Sequence, residues 1–282
     1  MPKIYLGLAQ WHHSKWYLNS ESSDHSLKQY CDSFSSVEGN TSFYGIPSEK
    51  NLLSWSSQAA KGFKFCFKFP REISHKQRLT HCSRQVSEFL NRISLINQQL
   101  GVIWLQLDHH FGRDKLDLLE KFLATLPSDF NYGVEVRSLD YFRKDDVEQR
   151  FNHLLMQHDV DRVIFDTRSL FAHPEINDEA SVEAFRVKPK VPTHVIATGQ
   201  CPMIRIIVPM DTSLGMVVLK QWATRVVQWV DEGKSPYVFL HTPDNVMAPR
   251  LALMFSELLQ EKCRFPVRIS LWNQESAQSN LF

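Results

Sequence analysis

Glycine is scarce in this chain, ten in 282 residues, and none falls in a G-x-G-x-x-G or G-x-x-x-x-G-K-[ST] pattern. Those patterns build the backbone-amide cradles in which dinucleotide-binding and P-loop folds hold phosphate, so no nucleotide cofactor is expected. The G-x-S-x-G and H-E-x-x-H patterns are absent too, which removes the nucleophile elbow and the zinc-protease helix. Cysteine is sparse and odd in number: Cys31, Cys66, Cys82, Cys201 and Cys263, with no C-x-x-C pair. A disulfide framework and a cysteine zinc site are both disfavoured. The histidine pairs His12-His13 and His109-His110 are adjacent in sequence. Neighbours on an extended chain point to opposite faces, so a metal has weak support.

Long hydrophobic runs are also missing, and none approaches the ~20 residues that span a bilayer. Met1-Pro2-Lys3 leads straight into a short apolar run broken by Gln10 and Trp11, which does not make a signal peptide. The expectation is a soluble, cytoplasmic, thiol-reduced protein with no membrane partner. Lys plus Arg number 32 against 31 Asp plus Glu, a net charge of +1. No global charge draws the chain to nucleic acid or membrane, so any electrostatic preference is local.

What is present is a repeating alternation of apolar runs and helical patterns. Hydrophobic residues make up 43% of the chain, enough for a large core. Strands are predicted over residues 4–9, 34–38, 62–69, 102–107, 132–136, 160–165, 203–208 and 237–240. Residues 63–69 alternate Phe with Lys or Cys at period two, and residues 102–107 are almost continuously apolar, as in a strand buried on both sides. Helical spacing follows most of these runs, with Ser48, Ser83, Asp114 and the Asp145-Asp146 pair at expected helix starts. Between the sixth and seventh predicted strands, Pro174, Pro189 and Pro192 break the pattern into an irregular excursion with a short helix near 178–185. Eight strands joined by helices predict an α/β fold, a single (β/α)8 TIM-type barrel over residues 1–264 with a tail over 265–282; an open doubly wound sheet is the alternative.

In such folds function gathers where strands give way to helices. Residues 37–44, Val-Glu-Gly-Asn-Thr-Ser-Phe-Tyr, put a carboxylate, a carboxamide, two hydroxyls and a phenol at one such end. Across the chain the candidates are Gln10 with His12, Glu38 with Asn40 and Tyr44, Lys68, His75, Gln106, Glu135 with Arg137, Asp166, Arg205, and His241 with Asn245. Lys68, Arg137 and Arg205 suit an anion. Glu38 or Glu135 suits a general base, with Asp166 or His241 as its partner. Glu38, Lys68, Glu135, Arg137 and Asp166 are expected to face one cavity. A plainer reading pairs Glu135 with Arg137, two apart on one strand face, and Glu38 with Lys68, as structural ion pairs. Residues 61–84 hold seven Lys and Arg against Glu72 alone, a basic segment suited to phosphate, carboxylate or a nucleic-acid backbone.

Several motifs together resemble the YecE-like family, filed as domain of unknown function 72. They are residues 37–44, the Phe63-to-Pro70 alternation, Ile73-Ser74-His75, Leu105-Gln106-Leu107, Tyr132-Gly133-Val134-Glu135-Val136-Arg137, and His241-Thr242-Pro243-Asp244. The resemblance runs from the start of the chain through the tail and implies a TIM-type barrel, but supplies no reaction. Many members carry His after the strand-five arginine and Trp shortly beyond, where this chain has Ser138 and Tyr141-Phe142. Many also carry an Arg-Leu-His-Gly-like run where this chain has Arg205-Ile206-Ile207-Val208, so the arginine stays and the histidine is absent.

Two functions fit. One is an enzyme on an anionic, phosphate- or sugar-bearing substrate, with hydrolysis of a phosphoester or glycosidic bond and isomerisation both open. The other is a non-catalytic module for nucleic acid or protein. The tail adds a candidate partner: Gln278, with Leu281-Phe282 after two polar residues, resembles the bacterial sliding-clamp-binding motif, although Ser279 stands where leucine is usual. Such a peptide anchors through one buried aromatic.

Overall fold

The computed structural model describes residues 3–16, 26–264, 266–267 and 269–271. In chain order the elements are β1 Tyr5–Leu8, α1 Ser26–Ser33, β2 Ser36–Gly39, α2 Glu49–Gln58, β3 Lys64–Phe67, α3 Ser83–Ile93, β4 Val102–Gln106, α4 Leu116–Leu123, β5 Asn131–Glu135, α5 Asp146–Gln157, β6 Val160–Arg162, β7 Ile164–Asp166, α6 Arg168–Phe171, α7 Glu179–Val187, β8 Met203–Ile207, α8 Met216–Asp231, β9 Tyr237–His241 and α9 Ala248–Gln260. All eight expected strands appear; the run over 160–165 is divided at Val163 into β6 and β7. Every strand pairing is parallel.

The ladders form two sheets, one of six strands in the order β3-β2-β1-β9-β8-β7 and one of three in the order β4-β5-β6. The fold is thus α/β with parallel strands, and its ladders give a six-plus-three arrangement where a closed barrel was expected. Between β3 and β4 only isolated bridges occur, Phe65 with Leu100 and Lys68 with Trp104. β1 and β2 approach closely at Gly7, where an added Cβ would stand 2.1 Å from the Ser36 carbonyl oxygen.

Period-two alternation separates the apolar side chains of the strands, and the buried ones fall into a large core, a second cluster between the strands and a small third one of Phe165, Leu170, Ala184 and Ile207. Outward residues such as Val37, Phe63, Phe65, Phe67, Ile103 and Leu105 pack against the helices in the large core. Inward residues Cys66, Val102, Trp104, Val163, Met203, Tyr237 and Phe239 form a second, smaller cluster between the strands. This is why residues 102–105 read as one continuous apolar run: both faces of β4 are buried.

Helix starts were only partly as expected. The Ser48 hydroxyl accepts from Asn51 N at 3.1 Å, and Asp145 Oδ1 accepts from Val147 N at 3.1 Å and Glu148 N at 3.2 Å. Ser83 is instead the first residue of α3, and Asp114 lies in a 3-10 turn, Arg113–Lys115, ahead of α4. The excursion contains α6 and α7, the latter capped by Asp178, whose Oδ1 accepts from Ser181 N at 2.9 Å. Past residue 264 the chain still packs: Ile269 is buried in the large core, and Ser33 Oγ donates to the Ser270 carbonyl at 2.6 Å. Gln278, Leu281 and Phe282, the clamp-like tail, lie outside the described residues. Among the described residues no helix is long and apolar enough to cross a membrane.

Candidate functional site

The polar inward residues stand one step beyond the inner apolar cluster, at the C-terminal ends of the strands. Parity places them there. On β2, Val37 faces the helices, so Glu38 faces inward. On β4, Trp104 and Gln106 share the inward face. Glu135, Arg205 and His241 follow on β5, β8 and β9, while Lys68 and Arg137 come one and two residues past the ends of β3 and β5.

Arg205 is the hub. It donates from Nε to Glu38 Oε2 at 3.0 Å, from Nη2 to Glu38 Oε1 at 2.7 Å, and from Nη1 to Glu135 Oε2 at 2.6 Å. Its guanidinium lies between the rings of Trp104 and Phe165, 4.7 and 4.3 Å from their centroids. The other donors to Glu38 are Asn40 Nδ2, 2.7 Å from Oε1, and His241 Nε2, 3.0 Å from Oε2. Glu135 Oε1 accepts from Arg137 Nε at 2.8 Å. Both glutamates, Arg205 and His241 are buried. An ion network with every nitrogen of the guanidinium engaged is what makes such burial tolerable, since losing one partner of a buried pair costs about 3–5 kcal/mol.

These contacts set the protonation states. Burial raises the Glu38 pKa, but the charge of Arg205 and the hydrogen bonds from His241 and Arg205 bring it well below the usual carboxylate range. At Glu135 burial is likewise outweighed, by Arg205, Arg137 and Lys68, and the net shift is downward. Burial lowers His241 despite the adjacent carboxylate. The imidazole is therefore neutral and carries its proton on Nε2, the nitrogen facing Glu38.

Lys68 is different. The residue is 6% exposed, and its ammonium hydrogen-bonds a neutral partner, Gln106 Oε1 at 2.7 Å. The same oxygen accepts from Arg137 Nη2 at 2.8 Å. The Phe43 and Trp104 rings lie 3.8 and 4.9 Å from Lys68 Nζ. The plainer sequence reading, a Glu38–Lys68 ion pair, is not formed, because Arg205 and His241 already occupy that carboxylate. Burial lowers the Lys68 pKa to about 7, and the nearby Glu135 offsets only part of this. Beside Phe43 sits His75, ring centroids 5.1 Å apart, carried on a π-helical turn over Glu72–Lys76 that closes with Gln77 N donating to Glu72 O at 2.9 Å. Burial lowers the His75 pKa as well.

Asp166 does not join this cluster. Phe165 pairs with Arg205 and shares its inward face, so Asp166, one residue on, points to the helices. There its carboxylate accepts from Trp222 Nε1 at 2.7 Å, from Arg168 Nη2 at 2.7 Å and from Thr193 Oγ1 at 3.1 Å. Asn245 is likewise placed by its backbone, at φ 63° in the loop after β9, with its carbonyl accepting from Trp16 Nε1 at 2.9 Å. Tyr44 is 84% exposed. With Gln10, His12, Glu38 and Asn40 it lines an open cavity of about 380 Å³ beside the cluster. Three cations of the basic segment are committed within the fold. Lys64 lies at the start of β3 and bonds Gln98 O at 2.7 Å, Lys76 pairs with Glu72 at 2.8 Å, and Lys68 is inside.

The charged residue that escaped the sequence reading is Lys188. It lies just after α7, half-buried and within electrostatic reach of Arg205, Glu38, Arg137 and Glu135; burial first, then the two arginines, lowers its pKa. Nothing in a proline-broken excursion marks such a lysine in advance. Trp104 was not named from the sequence either, although its parity with Gln106 puts it on the same inward face. Among the described residues no group of three or more His, Cys, Asp or Glu side chains is placed to hold a metal.

Comparison with known proteins agrees with the motifs. A family profile described as "Protein of unknown function DUF72" matches residues 5–274. The chain is 43% identical over 248 residues to UPF0759 protein YecE of Escherichia coli K12, covering 88% of this chain and 89% of that protein. Two solved DUF72 family structures share the fold. The one from Thermotoga maritima MSB8 gives a TM-score of 0.71 at 19% identity, over 92% of this chain and 99% of that one. The one from Enterococcus faecalis V583 gives 0.69 at 19% identity, over 92% and 98%. With the profile spanning nearly its whole length, this chain belongs to the DUF72 family.

Proposed function

We propose that this chain is an enzyme acting on a small anionic substrate, phosphate- or sugar-bearing, at the C-terminal ends of its strands, with Lys68 as the proton-exchanging group. One observation carries the reading. An amine held near neutrality stands inside a fixed ionic frame, hydrogen-bonded to an amide rather than to a carboxylate. General acids and bases work best with a pKa near ambient pH, and burial without a counter-ion brings a lysine there. Arg205 already spends its charge on two carboxylates, so holding an anion falls to Arg137, whose Nη1 is uncommitted among the described residues, and to Lys188. Glu38 and Glu135, the bases expected from sequence, belong to the frame. Their depressed pKa values also count against a two-carboxylate glycosidase, whose acid needs a raised one.

A second reading, a non-catalytic module for a nucleic-acid backbone or a protein, draws support from the saturation of the Glu38–Arg205–Glu135 network, since a scaffold needs only satisfied ion pairs. Titration of inorganic phosphate, glycerol 3-phosphate and a short single-stranded oligonucleotide at low salt separates the two. The enzyme reading expects saturable binding of the small phosphates, weakened about fivefold or more in Arg137→Ala and Lys188→Ala, a loss on the order of 1 kcal/mol. Binding of the oligonucleotide alone favours the module, and silence from all three ligands sinks both.

We also infer that the two sheets act as one closed (β/α)8 barrel, β6 and β7 being halves of one strand. The support is at the seams. Phe69 N donates to Trp104 O at 2.9 Å and Gly101 N to Phe65 O at 2.8 Å between the β3 and β4 segments, and Val163 N donates to Val134 O at 2.9 Å where β6 passes into β7. Buried strand edges require such partners.

A further inference from the structure

Resting on the reading of the polar cluster as an active site, we propose that Lys68 is a nucleophile that forms an imine with the carbonyl carbon of an aldehyde or ketone substrate bearing an anionic group. The ground is how the cluster distributes its charges. Two buried carboxylates stand close by, yet their oxygens are taken by Arg205, Arg137, His241 and Asn40. Among the described residues Lys68 has no ion-pair partner, only Gln106 Oε1. A lysine meant for charge balance would have been given one of those carboxylates. Instead it is enclosed beside the Phe43 and Trp104 rings, buried from water, which leaves a compact amine on a fixed stem.

The neighbours supply what the addition needs. Lys68 Nζ and Arg137 Nη2 both lie within 2.8 Å of Gln106 Oε1, so amine and guanidinium surround one atom. A carbonyl carbon attacked by Lys68 therefore has a fixed cation beside its oxygen, and Lys188 is the further cation for the anionic end of the substrate. In the addition the amine lone pair forms the C–N bond, the carbonyl π bond breaks, nitrogen gives up one proton and the oxygen takes one, which leaves a neutral carbinolamine. Loss of that hydroxyl with a second proton, as water, and of the remaining proton from nitrogen gives the imine. Hydrolysis returns carbonyl and amine, so no oxidant or reductant is consumed. Burial helps at neutral pH, since an amine with a pKa of about 7 is half unprotonated there while an exposed lysine is almost wholly ammonium.

The test is reductive trapping on the intact protein. Glycolaldehyde and glyceraldehyde 3-phosphate, each limiting, are added at pH 7 with cyanoborohydride, which delivers hydride to the imine carbon and fixes the adduct as a secondary amine. Peptide mass spectrometry then compares Lys68 with the exposed Lys50 and Lys76. Labelling of Lys68 is expected to exceed that of either by roughly tenfold or more, as its larger free-amine fraction predicts. The adduct is expected to vanish in Lys68→Met and Lys68→Arg, the second guarding against a folding defect in the first. Preference for the phosphorylated aldehyde, lost in Lys188→Ala, supports both the imine and the anion site. Equal labelling by the two aldehydes keeps the imine and overturns the anion reading. Saturable phosphate binding with Lys68 labelled no faster than surface lysines overturns the imine and leaves the anion site standing.

Discussion

At the scale of single residues the cluster is a problem of unequal burial. Glu38 and Glu135 are ionised because cations were built around them; Lys68 was left with an amide and two rings. The ring faces favour an ammonium by about 0.5–2 kcal/mol each and so oppose the desolvation that lowers the Lys68 pKa. This has a pH signature. In the unfolded chain the amine titrates near 10.5, in the folded protein near 7. Below pH 7 both states hold the ammonium, and the full cost of burying it is present. Between about 7 and 10.5 the unfolded chain binds the extra proton, so stability rises with pH, and above 10.5 the cost is gone. Lys68→Met should therefore be more stable than the parent protein at pH 6, by up to about 5 kcal/mol, with the difference shrinking steadily toward pH 10. Urea unfolding of both proteins at pH 6, 8 and 9.5 measures it; a difference that stays constant with pH removes the buried-amine account.

At the scale of elements, strand parity is what the sequence made legible, and it explains both the successes and the failure. Where Phe alternates with Lys and Cys, or Trp104 with its outward neighbours, the inward face can be counted residue by residue. Glu38, Lys68, Gln106, Glu135, Arg137, Arg205 and His241 all come to the same place this way. Residues 160–165 are buried on both faces and break at Val163, so position after an apolar run was a poor guide and Asp166 went to the wrong side. Helix starts were legible where a side chain actually caps. Asp145 holds two amides of α5, whose Glu148 in turn accepts from Arg162 Nη1 at 2.9 Å. Asp145→Ala is expected to cost about 1 kcal/mol, seen as a lower urea midpoint at unchanged slope. Asp114→Ala, outside any cap, should cost less than half as much, and equal losses would show that the capping bonds contribute nothing of their own.

At the scale of the whole molecule, the number of strands and their parallel connection followed from the alternation of apolar runs and helical spacing, but the pairing did not. Hydrophobic pattern decides which faces are buried, not whether the edges of β3 and β4 exchange a full ladder or a few bonds. Lys188 was hidden for a related reason: its place is set by how the proline-broken excursion returns over the strand ends, a long-range contact without local periodicity. The seam itself makes a measurable claim. If the sheets open as one ring, the amides of Gly101 and Phe69, which cross between the β3 and β4 segments, are exposed only by global unfolding. Their exchange free energies should then equal those of the β8 and β9 amides, and should fall with urea along the same slope as equilibrium unfolding. Native-state hydrogen exchange reads this residue by residue. Seam amides exchanging about 2 kcal/mol or more below the β8 and β9 amides, with a shallow urea dependence, would mean that the three-stranded sheet opens as its own unit and that the barrel is not closed.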